Sequence, residues 1–209
     1  MKARDALLSR LSGVAWPHGP LLEALTLPPA SDVLDIGCGD GDLLASLRQR
    51  GHSGRLVGLD REAISRPEVE TVAGDAHMLP FPDASFDAAL LVRVLDHLDA
   101  PRALAEAWRV LRTDGLLVVA RQTPAHLARF WTLLGESAPA TDPEAALRSR
   151  LAPFGPPEVR HLSVPIRFER AADLYELAAS HDRSLPTAPD RPFDDVLELL
   201  LLSVRRVGP

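Results

Sequence analysis

The sequence predicts an α/β protein built on a doubly wound, mostly parallel sheet. Three observations support this fold class. Short apolar segments alternate with helical patterns between residues 32 and 120, a glycine-rich segment joins the first strand to the helix after it, and the fourth strand, 88–92, is apolar throughout. A continuously apolar strand is typical of a parallel sheet that is covered on both faces.

The composition limits the class of protein before any motif is considered. A chain of 209 residues with 46% hydrophobic and 25% charged residues is typical of one soluble globular domain. No apolar run approaches the ~20 residues of a membrane span, and the first residues do not form a secretory signal, so we expect a cytoplasmic protein. A formal charge of −6 without a basic run argues against a nucleic-acid partner. The single cysteine excludes an internal disulfide and provides no metal cluster.

The first half of the chain contains five predicted strands with helices between them. Gly51 follows the first crossover helix at the position where a residue with positive φ commonly ends a helix. Asp99 is a fair N-cap for a later helix with Pro101 in its first turn, and Thr113-Asp114-Gly115 is a turn into the fifth strand. This alternation implies parallel pairing with right-handed crossovers. The strands are predicted at 32–36, 55–60, 68–73, 88–92 and 116–120, and the first crossover helix at 42–50.

The pattern differs on either side of these strands. Two helices, 2–12 and 21–27, precede the first strand and can pack on the sheet or over its ligand-binding edge. Trp16 and His18 could line a pocket there, although a packed aromatic residue and a surface histidine explain them equally well. The later segments are predicted as helices at 124–134, 142–151 and 171–180, a loop at 184–193 and a strand at 158–168. The apolar run 196–207 could begin as a helix, but 201–207 is best predicted as a last strand beside 158–168.

The segment 33–41 is the strongest candidate for a ligand-binding site. Its spacing is G-x-G-x-G, and Asp42 stands where a dinucleotide-binding loop has its third glycine. Asp35, Asp40 and Asp42 surround the loop, and this density of carboxylates opposes a pyrophosphate and suits a cationic amine or sulfonium. One of Asp40 and Asp42 is expected to cap the following helix, but that role does not explain Asp35.

A second acid supports a nucleoside ligand. Asp60 ends the second strand, 25 positions after Asp35, where doubly wound nucleotide-binding folds place the carboxylate that accepts hydrogen bonds from the ribose hydroxyls. A solvated charge at a strand end is the simpler alternative. The topology favours the ribose role because it brings Asp60 beside the glycine loop.

Four segments together resemble the class I S-adenosylmethionine-dependent methyltransferases, especially the ubiquinone and menaquinone biosynthesis enzymes and other small-molecule methyltransferases. They are VLDIGCGDG at 33–41, GLD at 58–60, GDAHMLPFPDASFD at 74–87 and AEAWRVLRTDGLLVV at 105–119. The resemblance implies a Rossmann-like sheet of seven strands with an antiparallel last strand. It also implies one domain over 1–209, with a cofactor-binding core at 32–120, helices at 1–28 over the cofactor edge, and substrate-lid helices and final strands at 121–209.

The resemblance implies S-adenosylmethionine as the cofactor, with S-adenosylhomocysteine as the product, and it assigns residues to them. Gly37, Cys38 and Gly39 would lie against the methionine part, and Asp35 would hold the loop and the amino group. Asp60 would bind the ribose hydroxyls. The acidic loop, read without the resemblance, agrees on one point, since it also suits a sulfonium.

Further residues are assigned to the adenine and to the methyl group. Arg61 would flank the adenine, Asp75 would accept from its amino group, and the Ala76 backbone would meet a ring nitrogen. Arg93 would line the open side of the cofactor near the methyl group, where an arginine departs from the family pattern and would favour an anionic acceptor or disfavour the sulfonium.

The acceptor is expected to be a small molecule, with the lid that selects it drawn from 1–28, 121–156 and 169–195. An Asn-Pro-Pro-Tyr type motif for a flipped base is absent, which argues against nucleic-acid N-methylation. His97 is the first candidate for a general base, with a structural helix-start histidine as an equal alternative; His18, His126 and Tyr175 are weaker. A non-catalytic protein that binds the cofactor is the second hypothesis, and a nucleotide-dependent oxidoreductase is disfavoured by the loop.

Overall fold

The structure, a computed structural model, describes residues 2–62, 66–136, 142–189 and 192–208. Two one-turn 3₁₀ helices, Leu95–His97 and Ala152–Phe154, accompany the regular elements. The α-helices are α1 (Lys2–Ser12), α2 (His18–Ala24), α3 (Asp42–Gln49), α4 (Ala100–Val110), α5 (Ala128–Leu133), α6 (Pro143–Leu151) and α7 (Ala171–Ala179). The strands are β1 (Val33–Ile36), β2 (Leu56–Asp60), β3 (Glu70–Ala73), β4 (Phe86–Val92), β5 (Leu111–Gln122), β6 (Glu158–Phe168) and β7 (Phe193–Arg205).

The seven strands form one sheet in the order β3-β2-β1-β4-β5-β7-β6. The first five strands pair in parallel, with β1 between β2 and β4. The last strand, β7, runs antiparallel to β5. Just after it, Asp114 N donates to Arg206 O at 2.7 Å and Arg206 N donates to Gly115 O at 2.8 Å. The predicted fold class, a doubly wound and mostly parallel sheet of seven strands with an antiparallel last strand, is confirmed.

The last strand is longer than the sequence predicts. It begins at Phe193, whereas the prediction for the last strand was 201–207, and it lies beside β6 as expected. The early part was missed because the apolar run 196–200 fits a helix as well as a strand, and because Asp195 before it is a buried acid at an inward position, where its Oδ2 accepts from Phe130 N at 2.8 Å. An acid with a backbone donor conceals the alternation of apolar and polar residues that identifies a strand.

Three other predicted boundaries are wrong. Thr113-Asp114-Gly115 lies inside β5 as an irregularity, with Asp114 at φ 63° and a shift of register against β4. Helix α5 begins at Ala128, not at 124, because Leu127 has φ 54° and its N–H bonds to Val196 O at 2.8 Å. Helix α2 covers His18–Ala24, so it begins and ends three residues earlier than predicted.

The end signals of two helices are confirmed. Gly51, directly after the Arg50 C-cap of α3, has φ 90°. The Asp99 side chain accepts from Arg102 N at the start of α4, as predicted for an N-cap. The N-cap of α3 is Gly41 rather than an acid, but the Asp40 side chain, one residue earlier, accepts from Asp42 N at 3.4 Å, while the Asp42 side chain pairs with Arg66.

The chain divides into two compact units. The larger unit comprises Leu25–Arg121, Glu144–Arg160 and Leu200–Pro209, and the smaller unit comprises Met1–Ala24, Gln122–Pro143 and His161–Leu199. Phe86 and Leu91 lie in the core of the larger unit, where Trp108 packs against Phe154, and Phe130 and Phe168 lie in the core of the smaller unit. The prediction of one methyltransferase domain over 1–209 stays a prediction.

No helix within the described ranges is long and apolar enough to cross a membrane. Those same ranges contain no group of three or more metal-ligating side chains that could hold an ion. Of the predicted loop 184–193, residues 190 and 191 lie outside the described residues, and Phe193 belongs to β7.

Candidate functional site

The polar residues that the sequence predicts as ligand-binding lie at or just beyond the ends of four strands of the larger unit. Asp35 lies in β1, Asp60 is the last residue of β2, Asp75 follows β3 by two residues and Arg93 follows β4 by one. The strands are parallel neighbours, so their carboxyl ends share one edge of the sheet. Ligands of open α/β sheets bind at this edge.

The loop after β1 has room for a ligand on one side only. Gly37 and Gly39 both have positive φ, 75° and 55°. A Cβ on Gly37 would lie 2.4 Å from Val94 Cγ2, whereas a Cβ on Gly39 would meet nothing within 4 Å. Gly37 N donates to Leu59 O at 2.7 Å, which folds the loop back over the end of β2. The backbone around Gly39 is therefore open to a ligand.

Asp35 is a buried carboxyl group that has no counter-charge among the residues that the structure describes. Its residue is 3% exposed, and within the described part of the chain no hydrogen bond reaches its carboxylate. Burial, and secondarily the nearby charge of Asp60, raises the pKa of Asp35 to about 7. A cationic group placed here would stabilise the ionised carboxylate and lower that pKa.

Asp60 is already oriented by the backbone. Its Oδ2 accepts from Gly39 N at 2.9 Å, and its Oδ1 accepts from Arg61 N at 2.7 Å. These four residues, Gly39, Asp60, Arg61 and Glu62, line a cavity of about 260 Å³. Each carboxylate oxygen accepts more than one hydrogen bond, so the side chain can bind hydroxyl groups of a ligand in this cavity.

Cys38 packs beneath the loop. A Cβ on Gly58 of β2 would lie 2.7 Å from its Sγ, so the thiol occupies the space that this glycine leaves. Burial, together with the charges of Asp35 and Asp60, raises the pKa of the Cys38 thiol to about 12. The thiol is therefore protonated at neutral pH, and its role here is packing.

The loop after β3 contains a histidine that the sequence analysis missed. Asp75 Oδ1 accepts from His77 N at 2.9 Å and lies 2.6 Å from His77 Nδ1, while Asp99 N donates to His77 Nε2 at 3.0 Å. Since Nε2 accepts a hydrogen bond, Nδ1 holds the proton and donates it to Asp75. These hydrogen bonds, the backbone one first, lower the pKa of Asp75. Ala76, between the two residues, is buried.

The candidate general base is not held in place. His97 is exposed at the end of the 3₁₀ helix Leu95–His97, where its N–H bonds to Val94 O at 2.9 Å. Across the described ranges, nothing hydrogen-bonds to its ring. Arg93, four residues earlier, has φ 58° and donates from its N to Ala120 O at 2.7 Å. The catalytic role of His97 stays a prediction.

The weaker candidates for a general base lie in the smaller unit. His126 is buried, stacks on Trp16 with ring centroids 5.5 Å apart, and accepts from Glu198 N at its Nδ1 at 3.0 Å. Tyr175 accepts from Ala188 N at its hydroxyl at 3.3 Å. His126 is thus explained by packing and hydrogen bonding within its unit.

Comparison with known proteins identifies the domain. Residues 34–119 match the family described as a methyltransferase domain. Over this segment the chain is similar to that family. The predicted resemblance to S-adenosylmethionine-dependent methyltransferases is confirmed, and the enzyme class and the cofactor are those of the family that this segment matches.

Relatives agree with this assignment over part of their length. The demethylmenaquinone methyltransferase of Thermus thermophilus is 35% identical over 138 residues, which are 60% of this chain and 62% of that protein. An uncharacterised 37.1 kDa protein of Streptomyces fradiae, from a transposon, is 42% identical over 111 residues, 47% of this chain and 32% of that protein. The matched part of the chain spans less than two thirds of the length of either relative. The activity of the whole protein is therefore treated as a proposal below.

Solved structures share the fold at low identity. An S-adenosylmethionine-dependent methyltransferase of Thermotoga maritima has a TM-score of 0.61 at 20% identity, with 98% of this chain and 94% of that chain covered. The [4+2]-cyclase SpnF has a TM-score of 0.59 at 21% identity, with 99% and 93% covered. The second structure belongs to an enzyme named for a different reaction, so the fold alone does not identify the chemistry.

Proposed function

We propose that the chain binds S-adenosylmethionine at the carboxyl ends of β1 to β4 and transfers its methyl group to a small-molecule acceptor. The observation that carries this proposal is Asp35, a buried carboxyl without a hydrogen-bond partner in the described residues and with a pKa raised to about 7 by burial. A cation beside a buried acid of this kind stabilises its ionised form. The amino group and the sulfonium of the cofactor provide positive charge, whereas a pyrophosphate would add repulsion.

The other residues at this edge suit the rest of the cofactor. The cavity beside Asp60 suits a ribose whose hydroxyls donate to the carboxylate, with Arg61 beside the adenine. Gly37, Cys38 and Gly39 would contact the methionine part through their backbone. Asp75 and Ala76 would meet the adenine ring edge, and Arg93 would lie near the methyl group. These roles come from family resemblance and from the shared sheet edge.

When bound, the cofactor would supply a methyl group on a sulfonium, with the neutral thioether S-adenosylhomocysteine as the leaving group. The protein would mainly position the acceptor and exclude water. A base is needed only for an acceptor that starts protonated, and His97 is proposed for that case. The demethylmenaquinone methyltransferases among the relatives suggest acceptors with a phenolic or quinol ring.

The first prediction concerns cofactor binding. Asp60→Ala should weaken S-adenosylhomocysteine binding by about tenfold to a hundredfold, because it removes a carboxylate that accepts two charge-assisted hydrogen bonds. Isothermal titration calorimetry measures the dissociation constant. Glu158→Gln is the matched control, since Glu158 is an exposed acid of the same unit and pairs with Arg160 at the surface. An unchanged constant in Asp60→Ala would refute the ribose role.

Turnover separates an enzyme from a non-catalytic cofactor-binding protein. The full chain is incubated with S-adenosylmethionine and a panel of phenols and quinols, and S-adenosylhomocysteine release is measured against a no-acceptor blank. Release above the blank supports the methyltransferase proposal. Saturable binding without release for any acceptor supports the binding protein. A cytoplasmic location and the absence of a nucleic-acid partner stay predictions.

A further inference from the structure

A second cavity of the larger unit lies at the opposite edge of the sheet from the proposed cofactor site. It has a volume of about 420 Å³, and its lining residues come from the amino ends of β1, β4 and β5 and from the end of β7. β4 runs for seven residues from this edge to the other, so at about 3.3 Å per residue the cavity is roughly 20 Å from the glycine loop. Cavities of this size hold small organic molecules. We call it the amino-edge cavity.

Two opposite charges line the amino-edge cavity without pairing with each other. Arg205, the last residue of β7, donates from Nη1 to the backbone oxygen of Asp114 at 2.7 Å. Within the described residues, the Asp114 carboxylate has no hydrogen bond or ion pair, and the other N–H donors of Arg205 have no acceptor. A third charged residue of the lining, Asp87, already pairs with Arg112 at 2.9 Å. The cavity therefore presents one cation and one anion that are available to a ligand.

A buried hydroxyl group supports a ligand in the amino-edge cavity. Ser31 lines the cavity and is only 6% exposed. Its N–H donates to Pro28 O at 3.0 Å and its carbonyl oxygen is 2.7 Å from His52 Nε2, but its hydroxyl has no partner among the residues that the structure describes. Buried polar groups are normally hydrogen-bonded, because leaving one without a partner costs free energy. A polar group of a ligand in the cavity would supply that partner.

We propose that the amino-edge cavity binds a free α-amino acid, with its carboxylate on Arg205 and its ammonium group on Asp114. Both contacts are charge-assisted hydrogen bonds. Arg205 touches the backbone of Asp114, so the two charges belong to neighbouring side chains, and in an α-amino acid the carboxylate and the ammonium group are likewise one carbon apart. A ligand with a single charge leaves one of the two side chains without a partner. An apolar side chain of the ligand suits the apolar part of the lining, which is Leu27, Pro28 and Leu116.

Three probes with one side chain separate the two charges. They are L-leucine, leucinamide, which lacks the carboxylate, and N-acetyl-leucine, which lacks the ammonium group. Isothermal titration calorimetry on the full chain measures their dissociation constants, and we expect leucine to bind about tenfold more tightly than either analogue. Arg205→Gln should remove the advantage of leucine over leucinamide. Asp114→Asn should remove its advantage over N-acetyl-leucine, and asparagine tolerates the φ of 63° at this position.

Ser31→Ala separates a ligand contact from a structural role. It should weaken leucine binding by about threefold without lowering the unfolding free energy, because the hydroxyl has no partner in the described chain. Lower stability together with unchanged leucine binding would overturn the role of this hydroxyl. The control is Arg160→Gln, an exposed arginine of the same unit that pairs with Glu158, and it should bind leucine like the unmodified chain.

The zwitterion is overturned by any of three results. They are the absence of saturable leucine binding, equal binding of all three probes, and leucine binding that is unchanged in both Arg205→Gln and Asp114→Asn. N-acetyl-leucine that binds as tightly as leucine would indicate a site for anions alone and would also overturn the proposal. S-adenosylhomocysteine is titrated into the same samples, and because its proposed site lies at the other edge of the sheet, its failure to bind would count only against the proposed function.

Discussion

The ionisation of Asp35 makes the free energy of unfolding depend on pH. Its pKa is about 7 in the folded chain and 3.8 in an unfolded one, and this difference of about three units corresponds to roughly 4 kcal/mol. The folded state therefore holds a proton between those two pH values that the unfolded state has lost. The contribution of Asp35 to the free energy of unfolding is therefore greatest at low pH, and it falls as the pH rises towards 7.

This linkage gives a prediction for Asp35→Asn, which removes the titration and keeps the shape. Relative to the unmodified chain, the variant should gain about 2–3 kcal/mol of unfolding free energy when the pH changes from 5 to 8. Urea unfolding at both pH values measures the difference. Asp40→Asn, an exposed acid of the same loop, should show no such gain. Parallel pH profiles for Asp35→Asn and the unmodified chain would contradict the raised pKa.

His77 is a positioning residue in the proposed site, because it acts through Asp75. One ring nitrogen donates to the Asp75 carboxylate and the other accepts from Asp99 N. We expect His77→Ala to raise the dissociation constant of S-adenosylhomocysteine about threefold to tenfold, since Asp75 keeps the backbone bond and loses the ring. His161→Ala, an exposed histidine of the smaller unit, is the control. Unfolding that changes while the binding constant does not would indicate a structural role only.

At the level of elements, the glycine loop offers a matched pair of substitutions. Gly37→Ala should lower the unfolding free energy by about 2–4 kcal/mol and abolish cofactor binding, because the new Cβ is strained at positive φ and lies 2.4 Å from Val94 Cγ2. Gly39→Ala has the strain without the clash, so it should lower the unfolding free energy by about 1–2 kcal/mol. Val94→Ala should partly rescue Gly37→Ala. Equal losses in both glycine variants, measured by urea unfolding, would contradict the clash.

The sequence predicts the first four strands and β6 well, and β7 and the start of β5 poorly, for a physical reason. A strand such as β4, buried in a parallel sheet, is continuously apolar and needs no knowledge of its neighbours. β7 places Asp195 inward against a backbone donor from Phe130, and the irregularity in β5 depends on Arg206. Both depend on partners more than 60 residues away, which local patterns do not contain.

The same limit applies to the site. The acids at strand ends could be predicted, because topology alone brings the carboxyl ends of parallel strands together. His77 could have been found from its position two residues after Asp75, where a side chain can bond back to the turn. The contacts of Asp96 with Arg121 and Arg150 could not be found, because the three residues belong to separate elements.

At the scale of the whole molecule, every residue assigned to the cofactor belongs to the larger unit, between Leu25 and Arg121. The smaller unit supplies none of them, although it includes much of the segment predicted as a lid. The fold is shared with enzymes named for methyl transfer and for cyclisation, so the choice of reaction must come from residues outside the common sheet edge. The acceptor therefore cannot be read from the cofactor residues.

This division predicts where ligand binding stabilises the chain. A ligand at a hundred times its dissociation constant adds about 2.7 kcal/mol to the state that binds it, so S-adenosylhomocysteine should slow amide hydrogen exchange in β1, β2 and β4 by up to about a hundredfold. Amides of α1 and α7, which belong to the smaller unit, should slow by less than threefold if the units open separately. Mass spectrometry of peptides measures both, and Asp60→Ala at the same ligand concentration is the control. Equal slowing in both units would mean that they unfold as one and would contradict the prediction.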